Sequence, residues 1–292
     1  MALSVPRHEF LRDDLPGRDP VLGDGVVWAL EDLREAPEAI ADAMSDALLL
    51  AQERSVPDPA AGWPETWEAW VVAMQSGSAM FAAAATSSES VDCLIHHEMR
   101  SLPATGPRSW VNAGSWINVF FLSVICRDRA RLDALCEIPP GLLQASGAEF
   151  DPYIHPWSQT LRSYWLGRPD LGDQLLQAAA GLAPLAAPIS GPEMTTKILW
   201  PVVDLFHRFV TGDQERFNRS LVNALTLHKQ YWTADEGLAR DARGLVAVGP
   251  LAMACLAYDA GFPVDVESEY LPAALLRRDW CGDFDAQAAS GA

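Results

Sequence analysis

The chain has 292 residues, of which 49% are hydrophobic and 21% are charged, a balance typical of a folded globular protein rather than a disordered one. Its formal net charge is −18, and a field of that sign repels nucleic-acid phosphates and anionic lipid. We therefore expect neither nucleic acid nor a membrane as a partner, whereas a basic protein is favoured.

The cysteine pattern and the first residues indicate a cytoplasmic protein. The cysteine count is odd, at five, and no two cysteines have CxxC spacing, which argues against a disulfide framework or a zinc site. The first twenty residues lack an apolar core of signal-peptide length. No apolar run reaches the roughly 18 residues that a transmembrane helix needs.

The first hundred residues predict an arm, two helices and a hairpin. Residues 1–23 carry Pro and mixed charge without periodicity, and we interpret them as an arm or loop. Asp24 can cap a helical pattern that Pro37 breaks or kinks. A second helix is expected over residues 64–85, with Trp and Met at helical spacing on one face. A short β-hairpin is favoured over residues 88–104, because this segment has a Ser-rich stretch at its start and a Pro-containing stretch at its end.

The middle of the chain predicts a buried helix over residues 108–125, because this stretch is strongly apolar. Asp128 then caps a short helix that ends before Pro139.

Three helix–turn–helix segments are expected after residue 150. Asp151 with Pro152 has the spacing of a helix N-cap followed by Pro at the first helical position. Ser190 and Glu193 have capping-box spacing, and Pro201 is expected to kink the helix that follows. Asp213 is expected to cap one later helix, and Gly261 is expected to end another. Residues 284–292 are expected to form a loose tail.

These elements predict a single all-α domain spanning residues 1–292, built as stacked helical hairpins that superficially resemble a repeat protein. Such hairpins must stack in order to bury their apolar faces. The sequence contains no repeat of fixed period, so no tetratricopeptide assignment follows.

Motifs of known chemistry are missing from the sequence. It has no Gly-rich nucleotide loop, no GxSxG elbow and no HExxH, since Ser101 stands where a second His would be needed. His96 and His97 are adjacent, so on a strand they would point to opposite faces and could not chelate one ion. We expect no metal and no cofactor.

Two histidines on predicted helices allow either a functional or a structural interpretation. Asp204 and His207 lie three residues apart, a spacing that permits a carboxylate–imidazole pair able to orient a general base, or an ordinary surface pair. His228 lies on an apolar face and is interpreted as a core histidine whose ring is satisfied by a hydrogen bond.

Three stretches resemble a known family. The first is LHKQYWTADEGLARDARGLVAVGPLAMACLAYDAGFPVDVESEYLP (residues 227–272), the second is residues 109–139, and the third is the predicted helix that carries Tyr153 and Trp157. Together they cover roughly residues 105–280 and resemble the Imm49 family of immunity proteins from bacterial polymorphic toxin systems. The resemblance implies a cytoplasmic helical protein that binds and neutralises a toxin, and it brings no catalytic residues with it.

Two other functions remain open from the sequence. One is a divergent enzyme or small-molecule-binding protein of a biosynthetic pathway, built on the same scaffold, because a Trp-rich helical cavity with a few polar groups is an ordinary ligand pocket. The other is a peptide-binding adaptor. The sequence does not identify the toxin or ligand, the oligomeric state, or the role of His96 and His97.

If the scaffold has a functional cleft, we expect three segments of the second half to line it, since equivalent helices of a stacked array share one surface. The candidate residues for a cleft or a partner-binding surface are Asp151, Tyr153, His155, Trp165, Asp204, His207, Arg208, Lys229, Tyr231 and Trp232.

Overall fold

The protein divides into two compact units in the computed structural model, which describes residues 3–11, 15–31, 33–183 and 187–279. Unit 1 comprises Met1–Asp13, Ser55–Ala61 and Glu149–Arg277. Unit 2 comprises Asp14–Arg54, Gly62–Ala148 and Arg278–Ala292. The predicted tail at residues 284–292 lies outside the described residues.

The described residues are mainly α-helical, which confirms the predicted fold class. They contain two short pairs of strands. In unit 1, β1 (Leu3–Ser4) lies parallel to β4 (Val266–Glu267). In unit 2, β2 (Ser90–Ile95) and β3 (Glu98–Pro103) form the predicted antiparallel hairpin.

Unit 2 is built around one long buried helix. Its helices are α1 (Leu15–Glu31), α2 (Ala39–Arg54), α3 (Pro64–Ala85), α4 (Ala113–Ile125), α5 (Arg129–Glu137) and α6 (Pro140–Gln144). Helix α3 packs against both α2 and α4. The close approach depends on Gly77, because a Cβ atom there would lie 2.4 Å from Val119 Cγ2 and 2.9 Å from Met44 Sδ.

The sequence placed α3 correctly and misplaced the start of α1. Helix α3 has the predicted bounds, and the break near Pro37 separates α1 from α2. Helix α1, however, begins at Leu15, so part of the predicted arm is helical and Asp24 lies inside the helix. The apolar period missed this start because the described side chains of residues 17–25 are exposed or half-buried.

The helices after the hairpin follow their capping residues. Helix α4 begins later than predicted, where the Asn112 side chain accepts a hydrogen bond from the Ser115 amide. Helix α5 has the predicted cap, since Asp128 Oδ1 accepts from the Arg131 amide. It ends at Glu137, before Pro139, as predicted.

Unit 1 contains the helical pairs of the second half. Its helices are α7 (Ile154–Trp165), α8 (Leu171–Gly181), α9 (Gly191–Met194), α10 (Trp200–Val210), α11 (Gln214–Trp232), α12 (Glu236–Ala239), α13 (Val248–Asp259) and α14 (Ala273–Leu276), with a 3-10 turn at Ala242–Gly244. Helix α7 pairs with α8, and α10 pairs with α11.

The kink expected at Pro201 takes a specific form. The five residues Thr195–Leu199 form a π-helical turn between α9 and α10. Pro201 lies in the first turn of α10, where a residue without an amide proton is tolerated. The wider turn therefore accommodates the missing hydrogen bond while the chain continues as helix.

An aromatic cluster joins α7 to α10 and α11. Trp157 and Tyr164 of α7 both lie edge-on to Phe206 of α10, each with ring centroids 5.4 Å apart. Phe209 of α10 and Phe217 of α11 extend the contacts through Phe262. Trp157 is only 3% exposed, so it lies in the core of unit 1, whereas Trp165 at the end of the same helix is half-exposed.

Within the described residues, no helix is both long enough and apolar enough to cross a membrane.

Candidate functional site

The first group of candidate residues lies on α10. Asp204 Oδ2 accepts a hydrogen bond from Ser220 Oγ of α11 at 2.6 Å, and its Oδ1 lies 3.1 Å from Arg208 Nη2. His207 is exposed on the same helix. Asp204 therefore connects α10 to α11 through Ser220 rather than orienting His207.

The second group lies at the start of α7. Asp151 was expected to cap this helix, but its carboxylate instead accepts from the amides of Ile189 and Ser190 at 2.9 and 2.7 Å. The helix begins three residues later, at Ile154. Burial would raise the pKa of Asp151, but the hydrogen bonds from Ser190 and Ile189 outweigh it and lower that pKa. Asp151 thus holds the backbone at Ile189 and Ser190, because the buried carboxylate needs hydrogen-bond donors.

Tyr153, His155 and Trp165 have different environments. Tyr153 is buried against Gly181 of α8, where a Cβ atom would lie 2.6 Å from the Tyr153 amide nitrogen. Burial raises the pKa of Tyr153 and lowers that of the half-buried His155. Trp165 is the last residue of α7.

The third group lies at the end of α11. Lys229 Nζ donates a hydrogen bond to the Pro6 carbonyl at 2.9 Å. Tyr231 lies edge-on to Trp232, with centroids 5.3 Å apart. The Trp232 ring covers Gly244, where a Cβ atom would lie 2.7 Å from its Cγ. Only Gly fits beneath this indole.

A buried cluster of His8, His228 and Tyr270, here called the buried histidine cluster, adjoins the third group. The His228 and Tyr270 rings lie edge to face at 4.9 Å, and His8 Nδ1 lies 2.8 Å from the Tyr270 hydroxyl. His228 Nε2 lies 2.9 Å from the Gly244 carbonyl, which can only accept, so His228 carries its proton on Nε2. The prediction of a satisfied core histidine at position 228 is confirmed.

Burial keeps this cluster uncharged near neutral pH. Burial lowers the pKa of His228 to about 4 against the opposing hydrogen bond to Gly244. Burial, then the charges of Arg7 and Lys229, lower the pKa of His8. Burial likewise raises the pKa of the Tyr270 hydroxyl to about 12. The cluster therefore serves as a neutral set of hydrogen-bonding groups rather than as an ion pair.

The ten candidate residues thus lie on or next to three helices of unit 1, namely α7, α10 and α11. Lys229 and Trp232 lie beside the buried histidine cluster, while Asp151 and Asp204 serve contacts of their own. Sequence reasoning missed His8 and Tyr270. They are 262 residues apart, so no local spacing connects them.

An open groove of about 650 Å³ runs beside the two-stranded sheet of unit 1. Residues 4–6 line one side, and residues 264–269 line another. Asp265, Glu267 and Glu269 are exposed in it, with Arg277 as the basic residue in the lining. The groove therefore has a net negative lining.

Unit 2 holds a second set of polar residues, Glu68, His96 and His97, here called the hairpin histidine cluster. His96 and His97 form the two-residue loop between β2 and β3. Their Nε2 atoms lie 3.5 and 2.8 Å from the same oxygen, Glu68 Oε1. The expectation that the two rings point to opposite faces is wrong, because both residues lie in the turn rather than on a strand.

The turn that holds these histidines is strained. His96 and His97 have φ angles of 50° and 65°, and hairpin loops with two positive φ angles favour Asn and Gly. The His96 amide donates to Gln75 Oε1 at 2.9 Å. Hydrogen bonds from His96 and His97 lower the pKa of Glu68 to about 2 against the opposing effect of burial. These contacts with α3 offset the strain.

Across the described ranges, no group of three or more His, Cys, Asp or Glu side chains is arranged to hold a metal ion.

Comparison with known proteins gives one match. The model of the family described as Immunity protein 49 matches residues 58–275, which is most of the chain. No curated protein and no solved structure matches the chain.

Proposed function

This chain belongs to the immunity protein 49 family, and from that membership we propose that it binds a cognate toxin protein and neutralises it as a stoichiometric inhibitor in the cytoplasm. The family match over residues 58–275 is the observation that carries the proposal. It includes α10, α11 and β4, and with them most of the candidate residues.

The charge of the protein supports a basic toxin as the partner. The net charge of −18 accelerates encounter with a positively charged surface. The groove beside β4 supplies a local acidic surface through Asp265, Glu267 and Glu269. Because the groove is open along its length, it suits a protein segment better than an enclosed small molecule.

Neutralisation is tested with candidate toxins encoded by the genes that flank this one. The toxin is expressed from an inducible promoter with and without this chain, and growth and complex formation are measured. We expect growth to be restored and the two purified proteins to elute together at equal stoichiometry. Growth arrest despite soluble expression of both proteins would contradict the proposal and favour the small-molecule alternative.

The acidic groove is tested by removing its charges. The variant Asp265→Asn, Glu267→Gln, Glu269→Gln is expected to slow association with the toxin by about tenfold at low salt, because steering depends on local charge. The matched control is Glu35→Gln, Glu38→Gln, Glu89→Gln, which removes three exposed charges from unit 2. Equal slowing in both variants would show that net charge, and not the groove, attracts the partner.

A further inference from the structure

Residues 3–8 cross unit 1 as an extended segment, here called the strap. The Leu3 amide donates to the Asp265 carbonyl and the Val5 amide donates to the Glu267 carbonyl, each at 3.1 Å. These bonds place β1 in parallel register with β4, with Leu3 opposite Val266. The strap is therefore attached to β4 as an added strand.

Beyond β1, unit 1 binds the strap mainly through its backbone. Ser268 Oγ donates to the Val5 carbonyl at 2.7 Å, and Lys229 Nζ donates to the Pro6 carbonyl at 2.9 Å. The His8 amide donates to the Tyr270 hydroxyl at 3.1 Å. Because backbone groups are common to all sequences, such a site can accept other extended segments.

Two strap side chains define what an occupant must offer. Val5 is only 7% exposed. Arg7 Nη1 donates to the Ser55 carbonyl and to Ser55 Oγ at 3.0 and 2.8 Å, and burial lowers the pKa of Arg7 against the opposing charge of Glu269. The site therefore selects an apolar residue followed, two positions later, by a basic one.

The family match separates β4 and α11 from the strap. Asp265, Glu267, Ser268, Tyr270 and Lys229 all lie within residues 58–275, whereas residues 3–8 precede that range. The part of the binding surface formed by β4 and α11 thus lies within the family match, whereas Ser55 and the strap precede it.

We propose that the edge of β4 that the strap now covers, rather than the open groove that the strap helps to line, is a docking site for an extended segment of a partner protein with an apolar residue at the Val5 position and a basic residue at the Arg7 position. In the free protein the strap occupies the site, and the partner segment displaces it by pairing with β4. The identification of that partner as the toxin rests on the proposed function, whereas peptide binding does not.

The site is tested with a fluorescein-labelled peptide of residues 3–9, LSVPRHE, and the full chain carrying Val5→Asp. A carboxylate cannot enter the buried Val5 position without a large desolvation cost, so the variant's own strap is expelled. We expect the peptide to bind the variant at least about tenfold more tightly than the parent. The control peptide LSDPRHE is expected not to bind. Equal binding to variant and parent, or no binding to a variant with parental circular dichroism, would overturn the proposal.

A second measurement on the parent protein covers the case in which Val5→Asp does not fold. The Leu3 and Val5 amides should exchange with deuterium at least about tenfold faster than the Cys255 amide in buried α13, because the strap opens without global unfolding. Equal protection would overturn the proposal. Toxin neutralisation without peptide binding would support the proposed function and contradict the docking site. Peptide binding without toxin neutralisation would support the docking site and contradict the proposed function.

Discussion

The two histidine clusters respond to pH through different groups. The buried histidine cluster of unit 1 has a phenol and backbone carbonyls around its rings, so burial dominates and keeps the imidazoles neutral. The hairpin histidine cluster of unit 2 is partly exposed and shares one carboxylate, so the carboxylate is the group whose pKa moves. Burial therefore sets the pKa of His228 in the first cluster, whereas hydrogen bonds set the pKa of Glu68 in the second.

The aromatic cluster around Trp157 contains no histidine or carboxylate, so it serves as a pH-independent reference for the two histidine clusters. We expect Trp157→Ala to lower the free energy of unfolding by about 3–5 kcal/mol, because a buried aromatic side chain leaves a cavity between α7 and α10. The loss should be equal at pH 8 and pH 5, as measured by urea denaturation at each pH. Coincident midpoints for variant and parent would show that Trp157 faces solvent or a ligand.

Acid is expected to destabilise the buried histidine cluster. The pKa of His228 in the folded protein, about 4, lies below its ordinary value of 6.5. The unfolded chain therefore binds a proton that the folded chain does not, so this contribution is complete above pH 6.5 and is lost as the pH falls to 4. The loss should amount to a few kcal/mol, at about 1.4 kcal/mol per pH unit.

The test of that prediction compares His228→Gln with His207→Gln across pH 4–7. The His228→Gln variant should lower the slope of the free energy of unfolding against pH. The decrease should be at most the slope that one bound proton contributes, about 1.4 kcal/mol per pH unit. His207→Gln, at an exposed position on α10, is the matched control for replacing a histidine by glutamine. If both variants keep the parental slope, His228 is not the group that acid titrates.

The Glu68 carboxylate of the hairpin histidine cluster is expected to lose its contribution to stability only in strong acid. Glu68→Gln should cost about 1 kcal/mol at pH 7, since a partly exposed charged hydrogen bond becomes a neutral one. The pKa of Glu68 in the folded protein is lowered from 4.5 to about 2, so its contribution is present above pH 4.5 and is lost towards pH 2. Urea denaturation at pH 7 and pH 3 measures the difference between variant and parent.

Glu98→Gln is the matched control for Glu68→Gln, because Glu98 is exposed at the start of β3 and contacts Arg100. It should change stability by less than about 0.5 kcal/mol. A difference between Glu68→Gln and the parent that stays constant from pH 7 to pH 3 would contradict the assigned role of the carboxylate.

Local signals predicted the helices well and the polar contacts poorly. The caps at Asp128 and Asp213, the bounds of α3 and the hairpin all follow from neighbouring residues in the sequence. Asp151 misled because a carboxylate before Pro resembles a cap, and only the folded chain brings the Ile189 and Ser190 amides to it. The contacts of the strap with α11 and with Ser268 were missed because these partners lie more than 200 residues away along the chain.

The two-residue turn shows why the hairpin histidines could not be placed from their spacing. A strand would separate neighbouring side chains, but β2 ends at Ile95 and β3 begins at Glu98. His96 and His97 therefore occupy the turn, and positive φ angles direct both rings to Glu68. The sequence predicted a hairpin without predicting which residues would form its loop.

The one expected effect of opposite sign, a stabilisation, comes from relieving this turn. Replacing His96→Asn and His97→Gly together installs the residue pair that this turn geometry prefers. Each left-handed non-Gly residue costs of the order of 1 kcal/mol or more, so relieving both should stabilise the fold. The loss of the hydrogen bonds to Glu68 should offset part of this stabilisation. We expect a net stabilisation of about 1 kcal/mol, measured by urea denaturation at pH 8. His97→Ala keeps the strain and loses the ring, so it should destabilise. If the Asn–Gly variant is as unstable as His97→Ala, the contacts of the imidazoles with Glu68 outweigh the backbone strain, and the hairpin histidine cluster stabilises unit 2 as strongly as the buried one stabilises unit 1.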